Sequence, residues 1–352
     1  MNTSNCVWLS MALAVITAGT ASGQREPKRF SIVAVGTADG QSRVVTMEGV
    51  RTRTWADYAL WSNNNRDLYF KHGEVFDGKV HANTRLWFAG DPLFMDAVTS
   101  AQPNFGGSTN DVTFMRGLHL NVPARSMADV DLDELENVAG LVLEGETSIT
   151  FENDELVITN ERAGWPGNVN TLSIPEEGVI YIKTSTTESS HTRPADVAIE
   201  GTLEGRLTIV AERDININGH LLYATDPKTD PASEDALGLI SGRNIVVNPA
   251  APNNLTIYAH MMATGNFDPS SATIGSFGVE DFSSGSPRGV LAVHGGIVQN
   301  YRGAVGTFNP WTGNMVSGFD KNYTYDHRFR EDPPPWYPPL DSRMEMGTWR
   351  DR

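Results

Sequence analysis

The sequence predicts an all-β protein with a β-solenoid core, a right-handed β-helix-like coil of short strands, together with flanking hairpins and one short helix. The first supporting observation lies between positions 196 and 224, where apolar residues occupy odd positions and polar residues mostly occupy even ones. A period of two is typical of strands with one buried and one solvated face. Apolar residues remain on odd positions on both sides of the glycines at 201, 205 and 219. We therefore expect the chain to turn corners without changing its inward face.

The second observation is an internal repeat, in which residues 207–217 align with residues 237–247 at a shift of 30 residues. Repetition of one supersecondary unit predicts stacked units that share a continuous core. An antiparallel sandwich also produces short alternating strands, but hairpin signals are sparse across 196–300. The solenoid interpretation requires four isoleucines to meet in a common interior: Ile209, Ile217, Ile245 and Ile257.

Composition, charge and cysteine usage narrow the class of protein further. The 33 glycines and 19 prolines suit a turn-rich, all-β chain better than a helical one. The 27 basic and 43 acidic residues give a net charge of −16, which repels nucleic acid and anionic lipid. We therefore expect no nucleic-acid partner. The one cysteine, Cys6, lies in the N-terminal segment, so the mature chain would have no disulfide and no cysteine metal site.

Residues 1–24 are predicted to be a secretory signal peptide. Their apolar run, 7–18, is too short to span a bilayer stably, and small residues that suit a cleavage site follow it. No Lys or Arg precedes the run, so a buried first helix is the alternative. No other stretch is long enough to cross a membrane. We therefore expect an exported protein, in the periplasm, on the cell surface or outside the cell, with no membrane span in the mature chain.

The mature chain is predicted to have three parts. Residues 25–195 form an N-terminal β-rich part, 196–322 the solenoid repeat region, and 323–352 a proline-rich C-terminal strap followed by a final strand near 343–349. Five prolines within 331–340 favour an extended polyproline conformation. We expect this segment to lie along its own domain, and recognition by another protein is the alternative.

Within the N-terminal part, local patterns predict several elements before the repeats begin. These are a hairpin over 29–49 that turns at Asp39–Gly40, a coil unit over 74–101, a Gly/Asn/Ser-rich loop over 102–118, and a hairpin over 141–160 that turns at 153–154. The glycine pair 106–107 is interpreted as turn material.

The acidic run at 128–136 raises a calcium hypothesis. Asp129, Asp131 and Asp133 have the opening spacing of an EF-hand loop, but its sixth and twelfth positions hold Glu134 and Gly140 instead of glycine and glutamate. We therefore predict a short surface helix near 128–140, with acids at its start and Gly140 as its stop.

An aromatic segment at 55–70 supports two hypotheses. Trp55, Tyr58 and Trp61 could cap an open end of the solenoid core, which such a fold must cover. Alternatively, the same three residues could form a surface that binds a carbohydrate or a protein. The capping interpretation is favoured.

Several short motifs resemble a bacterial domain family of unknown function. The N-terminal motifs are the run 76–83 (FDGKVHAN), then 86–92 and 97–100 (AVTS), and further matches lie at 215–223, 236–239, 303–306, 325–328, 332–335 and Trp349. The resemblance covers about 30–350. That domain occurs in PilX-like, type IV pilus-associated envelope proteins.

The resemblance implies an extracytoplasmic, non-enzymatic role in pilus-like or surface assemblies, and it brings no catalytic residues. Its relatives often begin with a prepilin leader, a Gly-Phe…Glu motif at the head of a long apolar helix, which is not found in this sequence. A secreted or periplasmic accessory protein is therefore expected rather than a pilus-shaft subunit. Its expected partners are other envelope or pilus-like proteins, or further copies of itself through exposed strand edges.

The sequence predicts no catalytic residues, no cofactor and no metal site, because it has no nucleophile elbow, paired-histidine zinc motif or phosphate loop. His220, His260 and His294 share the outward, even parity and could form a metal-binding column. Their unequal spacing favours solvated surface histidines instead.

The alternative function is a carbohydrate-binding or polysaccharide-degrading β-helix protein, such as a lyase or glycosidase. It would need paired carboxylates or acids beside a basic residue. The outward candidates are Glu200, Glu204, Arg206, Glu212, Arg213 and Asp214. An acidic solvated face explains the same residues, and fold analogy alone does not establish activity.

Overall fold

The computed structural model describes residues 12–16, 30–38, 41–63, 67–127, 130–184, 195–266, 274–309, 314–345 and 348–351. The protein is mostly β, with 51% strand and 6% helix. It divides into two compact units, one formed by 1–55 with 338–352 and the other by 56–337. None of the helices in the described ranges has the length and apolar character needed to span a membrane.

The first half of the chain contains thirteen described strands, most of them short. They are β1 (Ala12–Ile16), β2 (Phe30–Ala38), β3 (Gln41–Thr54), β4 (Tyr58–Ser62), β5 (Asp67–Phe70), β6 (Val75–Phe76), β7 (Lys79–Ala82), β8 (Arg85–Phe88), β9 (Leu93–Phe94), β10 (Val98–Ser100), β11 (Gly106–Gly107), β12 (Thr113–Phe114) and β13 (Leu118–His119).

Helix α1 (Leu132–Asn137) follows, and 3₁₀ turns occur at Trp55–Asp57, Pro166–Asn168 and His327–Arg330. The later strands are β14 (Leu141–Glu144), β15 (Thr147–Asn153), β16 (Glu155–Asn160), β17 (Val169–Ser173), β18 (Val179–Lys183), β19 (Val197–Leu203), β20 (Arg206–Ala211), β21 (Ile215–Tyr223), β22 (Ala236–Ser241), β23 (Ile245–Val247), β24 (Thr256–Ala263), β25 (Phe277–Val279), β26 (Pro287–Gln299), β27 (Gly306–Phe308), β28 (Met315–Tyr325), β29 (Pro339–Glu345) and β30 (Thr348–Asp351).

The smaller unit is an antiparallel sheet built around β3. Strand β2 pairs with β3 from Phe30 to Ala38, and Ala38 lies opposite Gln41, so the hairpin predicted over 29–49 is present. Its turn residues, 39 and 40, lie outside the described ranges. Strands β1, β29 and β30 complete this sheet, so the C-terminal segment contributes two strands where one was predicted.

The larger unit is dominated by parallel pairing between strands that are distant in the chain. One series runs β14, β18, β20, β22, β24, β26, β4, β7, β10 and β13. A second series runs β15, β19, β21, β23 and β25. Strand β4 is paired with β26 on one side and β7 on the other. The N-terminal strands therefore join the C-terminal ones in the middle of a long ladder.

The internal repeat pairs in the register that the sequence predicts. Leu207 lies opposite Leu237, and Ile215 opposite Ile245. This pairing is parallel, so the repeats are not an antiparallel sandwich. The four isoleucines of the predicted interior, Ile209, Ile217, Ile245 and Ile257, are fully buried in one hydrophobic cluster. The prediction of a constant inward parity is confirmed.

The even-numbered face of the central strands is also buried, contrary to the prediction that it is solvated. Val210, Ile240, Met262, Val298 and Trp61 align in register across five successive strands. All five are buried and lie outside the main hydrophobic cluster. Strands of a parallel sheet are commonly covered on both faces. The prediction of a polar, solvated outer face therefore applies only to strands that no other segment covers.

Two chain segments lie against this outer side. In the first, Asn83 accepts a hydrogen bond from Arg125 N at 3.0 Å, and Asn266 Nδ2 donates to Met127 O at 3.1 Å. Helix α1 continues this segment and packs on β18. Asp131 caps the helix by accepting from Asp133 N at 2.9 Å, so a short acidic helix is present near the predicted position. Asp129 lies outside the described ranges.

The second segment, residues 326–337, is called the C-terminal arm here. Arg206 bonds Asp332 Oδ1 at 2.9 Å, and Thr208 Oγ1 donates to Pro335 O at 2.5 Å. The arm is not an extended polyproline helix, because Trp336 has a φ of 51° and Tyr337 N donates to Pro334 O at 3.3 Å. Polyproline conformation requires a negative φ at every residue, and the turn at Trp336 breaks it.

The predicted loop over 102–118 contains the two-residue strands β11 and β12 and the first residue of β13, so that prediction was wrong. Strand β11 pairs with β8, β12 with β9, and β13 with β10, all in parallel. Gly106 and Gly107 belong to β11 rather than to a turn. A Cβ atom at Gly106 would overlap the Trp87 ring, so glycine is required for the close approach. Such short strands have no detectable period in the sequence.

Candidate functional site

The aromatic residues proposed as a binding surface are buried. Trp55 is 2% exposed, Tyr58 5% and Trp61 0%, so they do not form the exposed surface that this hypothesis needs. The capping hypothesis is also wrong for Tyr58 and Trp61, because β4 lies inside the parallel ladder rather than at its end. The Trp61 ring instead stacks on His81, with ring centroids 6.0 Å apart.

The histidines predicted on an outward column are engaged within the structure. His260 is fully buried; its Nε2 donates to Tyr58 O at 3.0 Å, and its Nδ1 accepts from the Tyr337 hydroxyl at 2.6 Å. Burial lowers the pKa of His260 to about 4, so the imidazole is neutral at pH 7. The C-terminal arm covers the side that parity alone assigned to solvent.

The two other histidines of that column also have hydrogen-bond partners. His294 is 8% exposed and its Nδ1 lies 2.9 Å from Thr324 Oγ1. His220 Nδ1 accepts from Thr256 N at 3.1 Å. Among the described residues, no three histidine, cysteine or acidic side chains come together as a metal site.

The outward acids and bases considered for polysaccharide chemistry are distributed among structural contacts. Glu212 accepts from Thr184 N at 2.6 Å and from the Tyr181 hydroxyl at 3.3 Å. Asp214 accepts from Asn244 N at 2.9 Å. Arg206 bonds the C-terminal arm, and Arg213 lies 3.5 Å from Asp196. The exposed Glu204 and its neighbour Glu200 contribute no described ion pair to this group. Enzymatic activity stays an untested alternative.

A cavity lies where the N-terminal and C-terminal strands of the ladder meet, and it is the candidate functional site. This seam cavity has a volume of about 220 Å³, and a second cavity of about 340 Å³ adjoins it. The two share six lining residues: Lys71, Glu74, Phe76, Asp320, Lys321 and Tyr323. Pockets that bind small molecules are typically concave and mostly apolar with a few polar groups, which describes this one.

The floor of the seam cavity belongs to the hydrophobic core. Leu60 from β4, Phe76 from β6, Ile297 from β26 and Phe319 from β28 are buried members of the main cluster. Phe308, at the end of β27, is exposed at the rim. The cavity therefore opens at the protein surface and extends to the main hydrophobic cluster.

An ion pair between the buried Glu74 and the half-buried Lys321 forms one wall. Lys321 lies opposite Leu291 in the parallel pairing of β28 with β26, and Leu291 is a core residue. Side chains opposite each other in parallel strands point to the same face, so Lys321 points inward. Burial lowers its pKa to about 8, with Arg302 and Lys71 adding repulsion and Glu74 opposing the shift.

Further charges surround the opening. Lys71 Nζ lies 3.1 Å from Asp320 Oδ1 and 5.6 Å from the Phe308 ring centre. Glu74 Oε2 accepts from Lys71 N at 2.9 Å. Arg302 donates to Tyr69 O at 3.1 Å. Three cations and two anions thus line a cavity in a chain whose net charge is −16.

Sequence reasoning missed this site because its two halves are far apart in the chain. One signal was available: Lys321 occupies an odd position between Phe319 and Tyr323, where the parity predicts an apolar, inward residue. A lysine at an inward position is unusual and is normally paired when buried. Glu74 gave no comparable signal.

Comparison with known proteins gives a family match and similarities to solved structures. Residues 27–102 match a family described as a domain of unknown function, DUF4900. One solved structure that matches is the crystal structure of the competence-associated pilin ComZ from Thermus thermophilus, with a TM-score of 0.43 and 11% identity, covering 98% of this chain and 87% of that chain. No curated protein matches. The matched segment contains the motifs at 76–83, 86–92 and 97–100, so the predicted resemblance to a domain of unknown function is confirmed there.

Proposed function

We propose that this protein is a non-enzymatic structural or assembly component of the bacterial cell envelope, exported and associated with pilus-like proteins or with further copies of itself. The observation that carries the proposal is strand β17, which among the described residues is paired along one edge only. The proposal also rests on the motif resemblance to domains of PilX-like envelope proteins, which concerns the N-terminal motifs above all.

We also propose that the parallel ladders are successive turns of a right-handed β-solenoid. Equivalent residues of the repeat lie opposite each other, as Leu207 does Leu237, and crossovers between parallel strands of one sheet are right-handed in nearly all proteins. Such a coil has two ends, and the strands at its ends offer unpaired backbone groups.

Strand β17 has the features of an edge that can accept another strand. Within the described ranges it pairs with one strand only, β16, in antiparallel register. Its sequence, Val-Asn-Thr-Leu-Ser, carries no charge and no proline, and Val169 is 43% exposed. Natural proteins guard free edges with lysine, proline or bulges. An uncharged edge of five residues suits pairing with a strand from another chain.

The experiment measures self-association of the purified protein by sedimentation velocity over a range of concentrations. We expect concentration-dependent oligomers that the double substitution Val169→Lys with Thr171→Lys abolishes, because charges on an edge oppose strand addition. Val290→Lys is the matched control, since Val290 is similarly exposed but lies in β26, where it is paired with Asp320 of β28, and not in β17. A monomer that captures no envelope protein through this edge would contradict the proposal.

A further inference from the structure

We propose that the seam cavity binds a small organic carboxylate with an apolar body, whose charged group lies against Lys71 and Arg302 and whose body lies on the aromatic floor. This inference concerns ligand binding and is independent of the proposed assembly role. It rests on the shape, lining and charge of the cavity between β4, β6, β26 and β28.

The floor of the seam cavity favours a ligand with an apolar body. Phe76, Phe277, Ile297 and Phe319 present hydrocarbon surface to the cavity, and all four belong to the buried cluster. Covering such surface stabilises a complex by about 25 cal/mol for each Å² removed from water. The volume of about 220 Å³ limits the body to a short alkyl chain or a single aromatic ring.

The rim of the seam cavity favours a ligand with a negatively charged group. Lys71, Arg302 and Lys321 are close enough that the first two lower the pKa of the third, so the three cations repel one another. Glu74 and Asp320 are the acidic residues lining the same cavity. An added anion relieves this repulsion, and the cationic rim contrasts with a chain whose overall charge repels anions.

A single carboxylate fits this rim better than the other charge types. A cationic ligand would meet a lining in which three cations outnumber two anions, and a neutral ligand would gain nothing from that excess charge. A phosphate with two charges would exceed the single positive charge by which the three cations outnumber Glu74 and Asp320. The guanidinium of an arginine matches the two oxygens of a carboxylate, which makes Arg302 the expected main contact.

The test measures binding to the purified full-length protein by isothermal titration calorimetry. The probes are octanoate and 3-phenylpropionate, with octylamine and octanol as matched cationic and neutral compounds. We expect both carboxylates to bind at one site, with octylamine and octanol binding at least about tenfold more weakly, the loss expected for an unmatched charge. Equal binding of octanoate and octanol, or binding of no carboxylate, would overturn the proposal.

Variants locate the site. Lys71→Met and Arg302→Gln should each weaken octanoate binding, and together by about tenfold or more. Phe308→Ala should weaken binding through loss of a rim contact. Lys183→Met is the control, because Lys183 also forms an ion pair, with Glu136 at 3.1 Å, but does not line the cavity. If the Arg302 variant does not fold, the Lys71→Met variant and the charge selectivity of the unaltered protein still test the proposal. Octanoate affinity that falls equally in the Lys183 control would place binding elsewhere.

Discussion

At the scale of single residues, the informative side chains are polar groups in places where the alternating pattern calls for apolar ones. Lys321 points inward beside Leu291 and is compensated by Glu74. A buried charge without its partner is strongly destabilising, so each residue of this pair fixes the position of the other. They come from β28 and from the turn before β6, and so connect the two ends of the larger unit's chain.

Buried histidines make the fold sensitive to acid. Burial lowers the pKa of His260 to about 4 from an ordinary 6.5, opposed by the Tyr58 carbonyl, Asp326 and Asp57. His294 shifts in the same direction for the same main reason, also to about 4. Because the unfolded chain binds protons at higher pH than the folded one, stability is fully present above pH 6.5 and is lost as pH falls towards 4.

The first prediction follows from this linkage and concerns unfolding by urea. The free energy of unfolding should decrease between about pH 7 and about pH 5, and the decrease should be smaller in His260→Gln, which cannot take up that proton. The measurement is the urea midpoint at several pH values for both proteins. Identical pH slopes would show that His260 does not titrate on unfolding.

At the scale of elements, very short strands are held in place by close backbone contacts. Gly107 in β11 has a φ of 76°, and a Cβ there would overlap Phe88 O in the paired strand β8. The left-handed conformation and the lack of space both require glycine. Since a Cβ at Gly106 would overlap the Trp87 ring, both positions of this two-residue strand depend on glycine.

The second prediction compares two glycines with similar backbone conformation. Gly107→Ala should destabilise the protein by about 2–4 kcal/mol, the combined effect of strain and overpacking. Gly164→Ala should cost about 1 kcal/mol, because Gly164 has a φ of 71° but nothing within 4 Å of an added Cβ. Thermal unfolding of both variants checks this, and equal shifts would mean that the Phe88 contact is unimportant.

Sequence patterns predicted elements well where the period was local. The parity of 196–224 and the repeat register of Leu207 with Leu237 appear in the structure because local alternation determines which residues point into the main hydrophobic cluster. Burial of His260 was missed because it depends on the C-terminal arm, 77 residues further on. The seam cavity was missed for the same physical reason, since no local pattern encodes which distant strands become neighbours.

At the scale of the whole molecule, the principal feature is the position of β4 in the ladder. This strand comes early in the chain, yet it lies between β26 and β7. Asn63, just after β4, bonds Asn300 across 237 residues of sequence. The larger unit is therefore closed by contacts between early and late parts of its chain, and the seam cavity lies beside them.

This position of β4 has a consequence for how the polypeptide matures. As the chain emerges during synthesis, one edge of β4 stays unpaired until β26 has been made, because β26 lies far later in the sequence. Contacts between residues so far apart in sequence form slowly. Until they form, the unpaired edge of β4 can bind chaperones or aggregate with other chains. Pulse-labelling hydrogen exchange during refolding should find the amides of β4 and β26 protected together and last. Early protection of β4 alone would show that the N-terminal half matures independently.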